Sequence, residues 1–167
     1  MKVTLVCVGK TDFSFVDEGE KLYSGRLGHY CKFSAIYIPQ LKGVGSLTRE
    51  QIKEREGELI LRELHLADKN GKALPKGKRT VVLLDERGKE LTSRELAAKI
   101  EKASETDNEL FFVIGGAYGF SDTVYGVADQ KLSLSKMTFS HQIVRLLFME
   151  QLYRAFTIIK GEPYHHD

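Results

Sequence analysis

Short apolar runs alternate with amphipathic stretches along this chain. Lys2–Val8 (KVTLVCV) is β-branched and apolar, closed by Gly9, and predicts a buried strand. Asp12 can cap a helix from about Phe13 to Leu27, with Phe15, Leu22, Tyr23 and Leu27 as its apolar stripe. Phe33–Ile38 is a second strand, stopped by Pro39, and Gly43–Ser46 a loop. Thr48 with Gln51 forms a capping box that opens a charged helix to about Leu66. After a Gly/Pro/Lys loop, Lys69–Lys78, comes a third strand at Thr80–Leu84. A second capping box, Thr92 with Glu95, starts a helix to about Ala103. Leu110–Ile114 is the fourth strand, ending at Gly115-Gly116; Ser121 can cap a short helix to about Ala128. Lys131–Leu134 reads as a brief strand, and Ser140 can open a last helix through Ile159.

This alternation predicts an α/β fold: one domain over 1–167, with a mainly parallel sheet flanked by helices. Ligands of such sheets bind beyond the carboxyl ends of the strands, so the turns after Leu84, Ile114 and Leu134 are the places to search. With 42% hydrophobic and 29% charged residues in a chain of 167, composition is that of an ordinary folded protein.

Charge and cysteine content narrow the class. A net charge of +2 does not by itself announce a nucleic-acid binder. Between Lys42 and Arg79, however, ten basic residues face six acidic ones, either a solvated helix face and loop or a phosphate-contacting patch. Cys7 sits in an apolar run as a small core residue, and no Cys-x-x-Cys or Cys/His cluster suggests a disulfide scaffold or a metal site. No segment has the length of a membrane span or a signal-peptide core, so a reduced, cytoplasmic protein is expected.

Several segments could carry chemistry. Gly9-Lys10-Thr11 imitates the tail of a P-loop, but Thr4 stands where that motif needs glycine, and the motif is rejected. Gly115–Gly119 lies between a strand and a helix; its glycines permit either a tight turn or a ligand lying against bare backbone. Leu132–Phe139 interleaves hydroxyl and apolar residues. It is either an edge strand with an N-cap or a loop whose backbone reads a flat heterocycle, with Leu134, Met137 and Phe139 packed on it. In the last helix His141, Arg145, Met149 and Tyr153 recur every four residues. Arg145 and Arg154 either pair with Glu150 or contact phosphate. The tail Tyr164-His165-His166-Asp167 is either frayed or offers a ring and an imidazole to a base.

Four ordered motifs, Val113–Gly119, Leu132–His141, Glu150–Phe156 and Pro163–His165, together with the opening KVTLVCVGK and the overall length, closely resemble the RlmH family of SPOUT methyltransferases. The resemblance implies a C-terminal trefoil knot and a homodimer. It implies methyl transfer from S-adenosyl-L-methionine to N3 of a pseudouridine in 23S rRNA of the assembled ribosome, without a metal. By motif, cofactor contacts fall on Leu84, Gly115, Leu134, Ser135, Lys136, Met137, Thr138 and Phe139. His141 matches a motif position on the RNA side, Arg145 on the same helix is the further candidate RNA contact, and catalytic roles fall on His165, Tyr164 and Arg154. Ser140 departs from the family's proline, and as a good N-cap it is expected to preserve the helix start.

Overall fold

The first strand, β1 (Lys2–Val8), is apolar on both faces, and the chain builds its sheet outward from it. The computed structural model describes residues 1–106 and 108–166; Asp167, the last residue of the expected tail motif, lies outside them. Four further strands, β2 (Lys32–Ile38), β3 (Arg79–Glu90), β4 (Glu109–Ile114) and β5 (Gln130–Ser133), join it in the order β2-β1-β4-β3-β5, all parallel. Helices α1 (Ser14–Leu27), α2 (Arg49–Glu63), α3 (Ser93–Glu105) and α4 (Asp122–Val127) make the crossovers, and α5 (Ile143–Ile159) closes the chain.

Each crossover reverses direction across the sheet, and right-handed connections then require successive helices to lie on alternate faces. They do. Val3, Leu5 and Cys7 of β1 and Leu110, Phe112 and Ile114 of β4 pack with Leu27 of α1, Ile100 of α3 and Phe148, Met149 and Leu152 of α5. The alternate residues Val6, Val8, Phe111 and Val113 pack with Ile60 of α2, Leu64 just after it and Val124 of α4. Strands covered on both sides need no polar alternation, which is why they read as continuous apolar runs.

Both capping boxes form. Thr48 Oγ1 accepts the Gln51 amide and Thr92 Oγ1 the Glu95 amide, each at 3.2 Å, and each partner carboxyl or amide returns to the cap. Ser121 Oγ caps α4 through the Val124 amide. α2 ends two to three residues earlier than expected, because His65 adopts φ 55° and the Leu66 amide turns back to the Leu61 carbonyl.

Three expectations are corrected. Asp12 does not cap α1: Phe13 holds the cap position with no side-chain bond, and the Asp12 amide is taken by Gln142 Oε1 at 2.8 Å. Of the expected α1 stripe, Leu27 is buried and Tyr23 packs against the core, but Phe15 and Leu22 are 58% and 51% exposed, and Val16 and Glu20 are buried in their place. The helix rolls this way because α5, not the sheet alone, sets its contact face, with Leu146 lying directly over Gly19. Lastly, α5 begins at Ile143 rather than Ser140. Ser140 still acts locally, its Oγ accepting the Ile143 amide at 3.2 Å across the turn before the helix.

Candidate active site

Beyond Leu84, β3 does not turn but continues through a register shift, so that Leu84 and Lys89 both pair with Leu132. The intervening Asp85–Gly88 bulges away from β5. Gly88 makes the bulge possible, since a Cβ there would lie 2.6 Å from the backbone of Leu132. The bulge, the end of β4 and the loop after β5 enclose an open cleft of about 770 Å³ at the carboxyl edge of the sheet.

Leu84, Gly115, Leu134, Ser135, Met137, Thr138 and Phe139 line this cleft, with His141. Met137 and Phe139 are 76% and 39% exposed, so apolar surface faces open space. The loop is held from within: the Ser133 hydroxyl donates to the Ser135 carbonyl at 2.8 Å, and Ser135 Oγ accepts the Met137 amide at 3.0 Å. Opposite, α2 presses the glycine turn into place. Gly57 meets Ser121, and the Glu56 carboxylate sits where a Gly116 Cβ would be, at 2.5 Å. Burial pushes the Glu56 carboxyl above its usual range. A backbone-lined wall beside apolar side chains and serine and threonine hydroxyls suits a flat heterocycle with a polar tail.

The far end of the loop is anchored to the N-terminal segment. Gln142 accepts the Asp12 amide and donates to the Lys10 carbonyl at 3.2 Å. Arg145, fully buried, donates to the Val8 carbonyl at 2.8 Å and to Thr11 Oγ1 at 3.1 Å. Thr11 in turn donates to the buried Glu20, which also accepts the Tyr37 hydroxyl at 2.9 Å. The Gly-Lys-Thr segment that imitated a P-loop is thus a structural tie. Arg145 has no surface from which to reach RNA, and the expected contact there is corrected for that reason. Cys7 is also enclosed, its thiol pushed up to about 12 by burial, which leaves no nucleophile at neutral pH.

A second group of polar side chains lies toward the other end of α5. Glu150 Oε1 accepts Arg154 Nε at 3.1 Å, Arg154 Nη2 at 2.5 Å and the Tyr164 hydroxyl at 3.1 Å. The Arg154 guanidinium lies 4.8 Å from the Tyr164 ring centroid, and its Nη1 is 3.4 Å from His165 Nδ1. A guanidinium has no lone pair, so Nδ1 accepts and a neutral ring carries its proton on Nε2. Burial, with Tyr23 and Glu150 alongside, pushes the Tyr164 phenol well up, so it acts as a donor. The tail is therefore docked on α5, with the Tyr153 and Tyr164 rings 4.7 Å apart, rather than frayed.

A model described as "Predicted SPOUT methyltransferase" matches residues 1–165. The chain belongs to the SPOUT methyltransferase family. It is 48% identical to the ribosomal RNA large subunit methyltransferase H of Parabacteroides distasonis over 168 residues, covering all of both chains. It is 52% identical to the protein of the same name from Christiangramia forsetii over 167 residues, covering 99% of each. A probable methylase family protein from Haemophilus influenzae shares the fold, with a TM-score of 0.56 and 11% identity over 99% of this chain and 70% of that one.

Within this SPOUT methyltransferase the expected cofactor residues converge, except Lys136, which lies in the same loop but not on the cleft wall. Arg154, Tyr164 and His165 converge separately, ~15 Å along α5 from Val144 of the cleft. A smaller cavity of about 210 Å³ connects the two groups, sharing Leu134 and Phe139 with the cleft and reaching Glu150. Sequence reasoning treated Glu150 only as a partner for an arginine; the structure makes it the hub of the tail. Its spacing four residues before Arg154 was the available signal. The Asp85–Gly88 bulge was missed altogether, although Gly88 inside a strand-like stretch marks such features. Among the described residues, no group of three or more His, Cys, Asp or Glu side chains is placed to hold a metal ion. No helix among them is long and apolar enough to cross a membrane.

Proposed function

We propose that this methyltransferase uses S-adenosyl-L-methionine to methylate N3 of a pseudouridine in 23S rRNA of the assembled ribosome, working as a homodimer. The observation that carries the reading is the cleft at the ends of β3, β4 and β5, lined by Leu84, Gly115 and the Leu134–Phe139 loop, in a chain alignable end to end with proteins named ribosomal RNA large subunit methyltransferase H. On this reading the C-terminal region carries the family's trefoil knot, and the cofactor lies in it.

When bound, the cofactor supplies an electrophilic methyl on a sulfonium. The protein's part is alignment and handling of charge. Leu84, Leu134 and Phe139 would shed water around the bound cofactor, and Gly115, packed against Phe120, would present backbone to it at the end of β4. On the substrate side Arg154, held by Glu150, stabilises negative charge that grows on the base as N3–H ionises, and Tyr164 adds to this by exchanging Glu150 for the base as its acceptor. His165 in its Nε2–H form donates to the same charge; it accepts the N3 proton only by exchanging Arg154 for the base at Nδ1.

The dimer is supported by apolar side chains left in the open around the Gly19–Leu146 contact. Phe15 and Leu22 on α1 and Ile143 and Leu147 on α5 are 38–58% exposed. Transfer from labelled cofactor should occur to ribosomes containing the target pseudouridine and not to ribosomes lacking it. Equal labelling of both, or no detectable cofactor binding with or without ribosomes, would sink the reading. A monomer by light scattering at micromolar concentration would remove the dimer alone.

A further inference from the structure

Arg26 lies at the end of α1, two residues before Gly28, and its guanidinium carbon is 5.5 Å from the Tyr23 ring centroid and 5.4 Å from that of Tyr153. Tyr153 packs edge-on to Tyr164, and the Arg154 guanidinium lies 4.8 Å from the Tyr164 ring centroid. Two guanidinium groups thus bracket one cluster of tyrosines at the candidate substrate end of the molecule. They differ in one respect. Arg154 is ion-paired with Glu150 at 2.5 Å, whereas among the described residues no carboxylate pairs with Arg26 and no hydrogen bond uses its N–H groups. The carboxylate of Glu162, on the tail, is engaged by the Tyr30 hydroxyl.

We infer that Arg26 is an RNA-phosphate contact that positions the substrate strand beside Arg154, Tyr164 and His165. A guanidinium stacked on aromatic rings keeps its in-plane N–H fork for a partner, and that fork matches a phosphodiester in a bidentate way. Arg26 is only partly buried, so the fork is accessible, and the stacking removes much of the side-chain entropy that contact would otherwise cost. A purely structural role would need only the apolar stem and the ring contacts. It would not require a positive charge without a carboxylate partner among the described residues, 5.4–5.5 Å from the rings of Tyr153 and Tyr23. The inference rests on the proposed function above, since it presupposes an RNA substrate.

The test measures binding of the full-length protein to ribosomes as a function of potassium chloride, for the wild type, R26Q, R26K and K21Q. Lys21 is a control on the same helix, exposed and paired with Asp17 at 2.6 Å. R26Q should weaken binding on the order of tenfold and reduce the slope of log K against log salt by about 0.7–0.9, the loss expected for one phosphate contact. R26K should restore the slope and only part of the affinity, while K21Q matches the wild type. Cofactor affinity without ribosomes and thermal stability should be unchanged in R26Q. An unchanged slope in R26Q, an R26K variant as impaired as R26Q with lowered stability, or an equal slope loss in K21Q would each overturn the Arg26 contact while leaving the proposed function standing. A wild type that binds no ribosomes overturns both.

Discussion

Replacing Gly88 by alanine tests the idea that the β3 bulge shapes the cofactor cleft. The added methyl would stand 2.6 Å from the backbone nitrogen and carbonyl carbon of Leu132 and 2.7 Å from the carbonyl carbon of Lys131. Ordinary carbon contacts are about 3.5–4.0 Å, so β5 must retreat by roughly 1 Å. Backbone cannot swing aside as the end of a long side chain can. Overpacking of this kind costs about 1–3 kcal/mol. Lengthening one or two ladder bonds between Lys89–Glu90 and Leu132–Ser133 adds about 1 kcal/mol each. A total of about 2–5 kcal/mol lowers Tm by roughly 4–20 °C in a protein of this size. Since β5 runs directly into the Leu134–Phe139 loop, cofactor affinity should fall as well. Circular dichroism melts with and without S-adenosyl-L-methionine read both effects. Gly126 in α4 is the internal control, because a Cβ there meets nothing within 4 Å and G126A should raise stability by about 0.5–1 kcal/mol. If G88A melts within 2 °C of the wild type, the close approach is not a constraint and the reasoning fails.

Three further outcomes are expected. Burial raises the Glu56 carboxyl above its usual 4.5, so the folded state holds that proton more tightly than the unfolded chain, and stability drains away as pH rises from 4.5 through the folded value. E56Q should therefore melt above the wild type at about pH 8, with the difference vanishing near pH 4; a pH-independent difference would contradict the burial argument. R145M should cost about 2–4 kcal/mol, seen in urea denaturation, because it strips donors from the Val8 carbonyl and Thr11. It should leave the salt dependence of ribosome binding intact, and a reduced slope with unchanged stability would show that Arg145 reaches RNA after all. H165A should lower methyl transfer on ribosomes by about 10²-fold or more; a rate within about threefold of the wild type excludes a role for the imidazole in handling the proton or the charge.

Local chemistry accounts for most of what the chain reveals unaided. The capping boxes at Thr48–Gln51 and Thr92–Glu95 involve residues three apart, so propensity and geometry decide them without help from the rest of the molecule. Buried strands such as Lys2–Val8 and Leu110–Ile114 are legible because a parallel sheet covered on both sides leaves no polar alternation. From strands alternating with helices, the carboxyl edge of the sheet followed as the place for a ligand, and most of the motif-matched cofactor residues line the cleft there.

What tertiary structure decided is everything that depends on which surface meets which. The apolar residues of α1 could not say that Phe15 and Leu22 would face outward, because the orientation is set by Leu146 pressing on Gly19 from a helix more than a hundred residues away. Arg145 looks like a surface cation in sequence, and only the fold wraps Val8, Thr11 and Tyr37 around it. The β3 bulge requires two strands and a glycine to coincide at Leu132. Docking of the tail through Glu150, Arg154 and Tyr164, with Arg26 stacked on Tyr153 beside it, likewise emerges only when α1, α5 and the C-terminus come together. Sequence by itself determined the elements and the motifs, since these are written in contacts a few residues apart. Orientation, burial and the assembly of charges are long-range quantities, and only the packed molecule decides them.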